Sequence, residues 1–114
     1  DSSIHSYLLA YWVRQRGTFA LEEAVRMVTL APAVAWGFHD RGLVREGLVA
    51  DLNVFNPDTL MPELPVVAND LPAGGKRLLS KSSGIRATLV AGEVTFENGQ
   101  HTGALPGRLL RARH

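Results

Sequence analysis

Leu21-Glu-Glu-Ala-Val-Arg-Met-Val-Thr29 and, further along, Val49-Ala-Asp-Leu-Asn-Val-Phe55 are the two stretches whose contrast decides the fold. In the first, Leu21, Ala24, Val25 and Val28 recur at helical spacing. Glu22 and Glu23 stand in the first turn, where carboxylates complement the helix dipole. In the second, apolar side chains alternate, which predicts a strand with Leu52 and Val54 on one face. The hydrophobic period therefore changes from 3.6 to 2 across the turn-rich Gly42–Gly47. Helices come first and a sheet second, which predicts an α+β chain.

Upstream of this switch, Ile4 to Gln15 reads as a helix, with Ser2 or Ser3 as N-cap and Gly17 as its stop. Ile4, Leu8, Tyr11 and Trp12 share one side, but Tyr7, Leu9 and Val13 make the others apolar too. That predicts a helix buried all round, with Trp12 and Trp36 in the core. Pro32 opens a third, short helix over Ala33–Trp36, stopped by Gly37. Downstream, residues 60–76 hold three prolines and Ala73-Gly74-Gly75, and are expected to be mostly loop. Ile85–Val90 and Glu93–Phe96 flank Ala91-Gly92 as a β-hairpin, and Asn98-Gly99 is a second tight turn. Only three convincing strands are evident, fewer than a sandwich needs. The expected organisation is a helical unit over 1–42, a β unit over 43–106 and a basic, frayed tail over 107–114.

The chain has 114 residues, is 46% hydrophobic and carries a formal charge of +1. It can bury a core, and it offers no electrostatic footprint for nucleic acid or an anionic membrane. No apolar run reaches the ~20 residues of a transmembrane helix. Zero cysteines exclude disulfides and thiolate metal sites and fit a cytoplasmic protein. The start at Asp1, without Met, and the apolar first helix are read as marks of a fragment whose partner surface lies elsewhere.

Visible catalytic chemistry is sparse. His5, His39, His101 and His114 form no metal-ligand spacing, and each is expected to be solvated or capping. His5, near the start of the first helix, is the best placed of them for a site. Gly74-Gly75-Lys76-Arg77 lacks the spacing and the strand–helix setting of a phosphate loop. Lys76, Arg77, Lys81 and Arg86 read as a solvated edge. Asp40, Asp51, Asp58 and Asp70 form no acid–base pair, and no serine lies in a nucleophile elbow. The expectation is that no catalytic residue and no metal ligand lies in this chain.

Leu21–Thr29, Ala31-Pro-Ala33, Gly37, Asp40-Arg-Gly42, Gly47 and Ala50–Phe55, in that order, resemble the C-terminal signature of the amidohydrolase superfamily. Within it, Asp70–Leu78 and the close His101-Thr-Gly-Ala-Leu-Pro-Gly-Arg108 resemble the N-acyl-D-amino-acid deacylase (D-aminoacylase) group. Leu8–Arg14 is similar to that group's helix after the last barrel strand. Two departures stand out: Ala20 where a serine N-cap is usual, and Asn56 for the usual aspartate.

The resemblance implies the terminal helices of a TIM-like (β/α)8 barrel, followed by part of a small C-terminal β-sandwich that pairs with strands from the parent's N-terminus. It implies a parent enzyme that hydrolyses N-acyl (D-)amino acids or related amides. There a divalent metal, zinc by expectation, would polarise the amide carbonyl and activate a water, and an aspartate would pass a proton to the leaving amine. The metal ligands and that aspartate would lie upstream, and Asp1 is not that aspartate. The alternatives are a free-standing structural or interaction module and a piece of a hydantoinase- or dihydroorotase-like ring amidase. An isolated chain of this kind is expected to self-associate through exposed apolar surface.

Overall fold

The computed structural model describes residues 3–112. Among the described residues, three helical segments precede eight short strands, an α+β arrangement. Helix α1 (Ile4–Tyr7) passes without a break into a stretch of wider, π-type turns, Leu8–Gln15. There the Arg16 N–H donates to the Tyr11 carbonyl five residues back, at 2.8 Å. Tyr7 and Tyr11 stack along this helix with ring centroids 5.0 Å apart. Ser3 stands at its N-terminus but makes no capping bond from its side chain, and Ser2 lies outside the described residues. Gly17 follows the helix at φ 62°, the left-handed geometry of a helix stop.

The expectation of burial on all sides is corrected. Ser6, Leu9 and Ala10 are buried, whereas Ile4, Tyr7 and Trp12 are exposed. Trp36, also expected in the core, is 69% exposed. Both corrections have one cause: the layers present cover a single face of each of these helices, so the other apolar side chains have nothing to pack against.

Helix α2 (Leu21–Val28) carries the predicted stripe, with Ala24 fully buried and Leu21, Val25 and Val28 half-buried. It begins without a side-chain cap, because Ala20 offers none; the Ala20 carbonyl instead accepts from Ala24 at 3.0 Å. Helix α3 spans Leu30–Ala35, earlier in the chain than expected, with Pro32 in its first turn.

The main sheet has the order β1-β6-β7-β8, built from β1 (Leu52–Phe55), β6 (Ile85–Val90), β7 (Glu93–Glu97) and β8 (Gln100–His101). The strand expected from Val49 is thus shorter, and Val54 is exposed while Leu52 is half-buried. The β6–β7 hairpin turns at Ala91 and Gly92, with φ 50° and 80°; Asn98 and Gly99 repeat the geometry at 51° and 81°.

Residues 60–76 are mostly loop, as expected, but the short strands they also hold were not foreseen: β2 (Met61–Pro62) pairs with β5 (Ser82–Ser83), and β3 (Val66–Ala68) with β4 (Arg77–Leu79). The prolines mislead because these are two-stranded ribbons, whose outer edges need no ladder N–H. Pro65 falls in the gap between the two pairings and Pro72 in a 3-10 turn, Pro72–Gly74.

Leu9, Ala24 and Leu60 form the core, with Phe19, Val25, Phe55 and Ile85 packed around it. Leu60 crosses Gly84 so closely that a Cβ there would lie 2.6 Å from the Leu60 backbone. The radius of gyration, 15.6 Å, exceeds the about 13 Å of a compact chain this long. No large side chain among the described residues is fully buried.

Gly84→Ala is expected to unfold the chain or destabilise it severely, because the methyl meets backbone that cannot move aside. Gly99→Ala, at a similar φ of 81° but with open space around it, should cost only about 1–2 kcal/mol. Urea titrations of the two variants make the comparison.

Candidate functional site

A mainly apolar concavity lies in the seam between the helices and the sheet, a groove of 690 Å³. Leu9, Val25, Leu52, Phe55 and Ile85 supply its apolar wall, and His5, Glu22, Arg26 and Asp51 bring polar groups to it. The wall follows from the two periodicities, since the buried stripe of α2 faces the inner side chains of β1 and β6. Its size and apolar character match ligand-sized sites, but its polar groups do not form a reactive set. Glu22, Arg26 and His5 are exposed, and among the described residues no group of three His, Cys, Asp or Glu side chains could hold a metal ion.

The residues singled out by sequence are dispersed rather than gathered. His5 lies on the groove and His39 is exposed on the loop after α3. His101 sits edge-on to Phe96 at 5.1 Å, and its Nδ1 accepts from the Gly103 N–H at 3.2 Å. His114 lies outside the described residues. Gly74-Gly75-Lys76-Arg77 joins two strands, and Arg77 is clasped by Asp70 through bonds of 2.7 and 2.6 Å. Lys81 and Arg86 line a separate, open polar hollow beside β5.

The residues that carry the amidohydrolase resemblance act locally. Arg41 donates from Nη1 to Asp51 at 2.5 Å and from Nε to Asp40 at 3.0 Å. The other Asp51 oxygen accepts from the Ala91 N–H at 2.9 Å. Asp51 therefore ties the loop after α3 to the β6–β7 turn, a link that sequence reasoning missed because its partners lie 10 and 40 residues away. Gly42 passes so close to α3 that a Cβ would lie 2.9 Å from that of Ala33. Thr29 returns its hydroxyl to the Val25 carbonyl at 2.7 Å. Asn56 accepts from the Asp58 N–H at 2.9 Å, a turn an aspartate would cap equally well. In the closing motif, Thr102 donates its hydroxyl to Val94 at 2.6 Å and its N–H to Thr95 at 2.9 Å, ending the sheet.

With this geometry established, comparison with known proteins decides the family. The model of the Amidohydrolase family matches residues 3–96. The chain belongs to the amidohydrolase family. It is 30% identical over 103 residues to D-aminoacylase of Alcaligenes xylosoxydans xylosoxydans, covering 90% of this chain and 19% of that enzyme. To N-acyl-D-glutamate deacylase of the same organism it is 34% identical over 104 residues, covering 91% and 19%.

A crystal structure of D-aminoacylase superposes with a TM-score of 0.74 at 31% identity, over 94% of this chain and 21% of that one. Another D-aminoacylase structure, with a TM-score of 0.72, 32% identity and the same coverage, concerns a binuclear metal centre activated by one metal and attenuated by the second. The chain thus spans about a fifth of the length of the curated relatives it matches.

The carboxyls of Asp40 and Asp70 are held below their ordinary value of 3.8, first by hydrogen bonds from Arg41 and Arg77 respectively. Their folded pKa values lie below the unfolded ones, so their stabilisation is complete above about pH 4 and is lost as the pH falls through the folded values. Both are solvent-exposed, so the effect is modest. Thermal melts from neutral to acid pH should show a shallower acid loss in the Asp40→Asn/Asp70→Asn double variant than in the unaltered chain.

Proposed function

We propose that this chain is the C-terminal part of a metal-dependent amidohydrolase that cleaves the amide bond of N-acyl-D-amino acids or related amides. The observation that carries the reading is the co-linear likeness of nearly the whole chain to D-aminoacylase in both sequence and fold. The helices from Ile4 to Ala35 cover the wall of a TIM-like barrel, and the strands from Leu52 onward contribute to a small β-sandwich. The boundaries are near 42 and 106, with 107–114 as a tail.

The parent carries a divalent metal, zinc in this reading, and works in the cytoplasm. No helix among the described residues is long and apolar enough to cross a membrane. The described residues supply no metal-ligand set, so no catalytic step is assigned to them. The ligands and the proton-transferring carboxylate belong to the preceding polypeptide. This chain's part is structural: it presents an apolar seam and open sheet edges to the rest of the enzyme. Alone, it exposes that surface and self-associates.

The full-length polypeptide should release free amino acid from N-acyl-D-amino acids, lose that activity to a chelator and regain it with divalent metal. The isolated chain should be inactive under the same conditions. Absence of hydrolysis by the metal-loaded full-length polypeptide would overturn the reading. In sedimentation velocity the isolated chain should run as dimers or larger species; a monodisperse monomer would count against the exposed seam.

A further inference from the structure

Strand β1 is gripped at both ends. At its C-terminal end the Asn56 N–H donates to the Gly84 carbonyl at 3.0 Å, beside the crossing of Leu60 over Gly84. Arg14 adds to this grip from the first helix, donating from Nη1 to the carbonyls of Pro57 and Leu60. At the N-terminal end the grip falls on the β6–β7 turn. There the Gly92 N–H donates to the Ala50 carbonyl at 3.0 Å, and the Ala91 N–H to Asp51 at 2.9 Å. The two grips stand a strand's length apart, about 15 Å at the usual rise per residue.

The second grip is anchored to the helical layer by Arg41. Its guanidinium spans two carboxylates, donating from Nη1 to Asp51 at 2.5 Å and from Nε to Asp40 at 3.0 Å, and its side chain is only 15% exposed. A planar fork can hold both acids at once, which a point charge cannot. The Val49 N–H donates to the Asp40 carbonyl at 2.8 Å, which brings Asp51 alongside Arg41. Gly42, next in the chain, lies too close to Ala33 and to the Leu30 backbone for a side chain to fit, so this loop is pressed onto α3. From α3 to the turn, the connection runs through Gly42, Arg41, Asp51 and Ala91.

A single crossing between two layers leaves them free to pivot, and a second attachment a strand's length away removes that freedom. We propose that the Arg41–Asp51 pair is a latch that stops the main sheet from pivoting on the helices about the Leu60–Gly84 crossing. Asp51 is the central piece, because one of its oxygens takes the guanidinium and the other the Ala91 N–H. Breaking its bond to Arg41 therefore loosens the turn, while the crossing at the far end of β1 holds. The latch is independent of the reaction proposed above.

Hydrogen–deuterium exchange of the full-length polypeptide, read by mass spectrometry, tests the latch. In Arg41→Gln, peptides spanning 89–95 should exchange about tenfold faster, the loss of one charge-assisted hydrogen bond, although Arg41 reaches this turn through Asp51. Peptides spanning 56–62 and 82–86, at the crossing, should stay within about twofold. Asp51→Ala, which removes both bonds, should loosen the turn at least as much. Arg41→Lys, with an ammonium in place of the fork, is the milder break should the glutamine variant fail to fold, and should quicken the turn about threefold. Asp70→Asn breaks the comparably short Asp70–Arg77 pair elsewhere and should leave the turn unchanged. Turn exchange unaltered by the Arg41 substitutions overturns the latch. So does a parallel quickening at the crossing, or an equal loosening of the turn in Asp70→Asn, since either reports general destabilisation.

Discussion

Everything in this chain hangs on the passage of Leu60 across Gly84. Among the described residues, Leu60 is the one buried large side chain that the β region sends into the helical layer, where it meets Leu9 and Ala24. It reaches them only because Gly84 has no Cβ, letting two backbones approach more closely than any other residue would allow. Around that contact most polar fastenings join distant parts of the chain. Arg14 holds the carbonyls of Pro57 and Leu60, and Asn56 accepts from Asp58 while its N–H donates to Gly84. The seam is narrow, and most apolar residues outside it remain in contact with solvent.

That economy explains the shape and the proposed role together. A chain that buries so few large side chains, with a radius of gyration above the compact value, gains little of its stability from its own core. Its apolar groove and open sheet edge are what a larger protein would cover. Amidohydrolase relatives about five times as long supply a natural context for such a surface. The motifs that mark the family here serve this architecture. Arg41 and Asp51 link the loop after α3 to a hairpin turn, and Thr102 closes the sheet. They mark the family through local architecture, in keeping with the structural part proposed for this chain.

Local signals were legible wherever a residue's conformation was decided by its near neighbours. The stripe of α2, the glycine after the first helix and the two tight turns at Ala91-Gly92 and Asn98-Gly99 follow from side-chain period and from the φ that turns demand. The ribbons between 60 and 83 were not legible. Their prolines and glycines argue for loop, and strands of two or three residues hold together only through partners 9 to 22 residues away. The burial of the first helix was misjudged for a related reason, because apolarity on all sides does not say which neighbours a helix meets, and the described layers cover one face of it.

By itself, then, the sequence determined the family, the order of helices before sheet and the identity of the turns. These depend on period, on backbone freedom and on ordered motifs that survive without three-dimensional context. Tertiary structure alone decided which apolar residues are buried, since burial is a relation between distant surfaces. It also decided the partners of Asp51 and the path of the ribbons along the first helix. That path is set by hydroxyl contacts between residues 76 and 77 positions apart, a pairing no local pattern encodes.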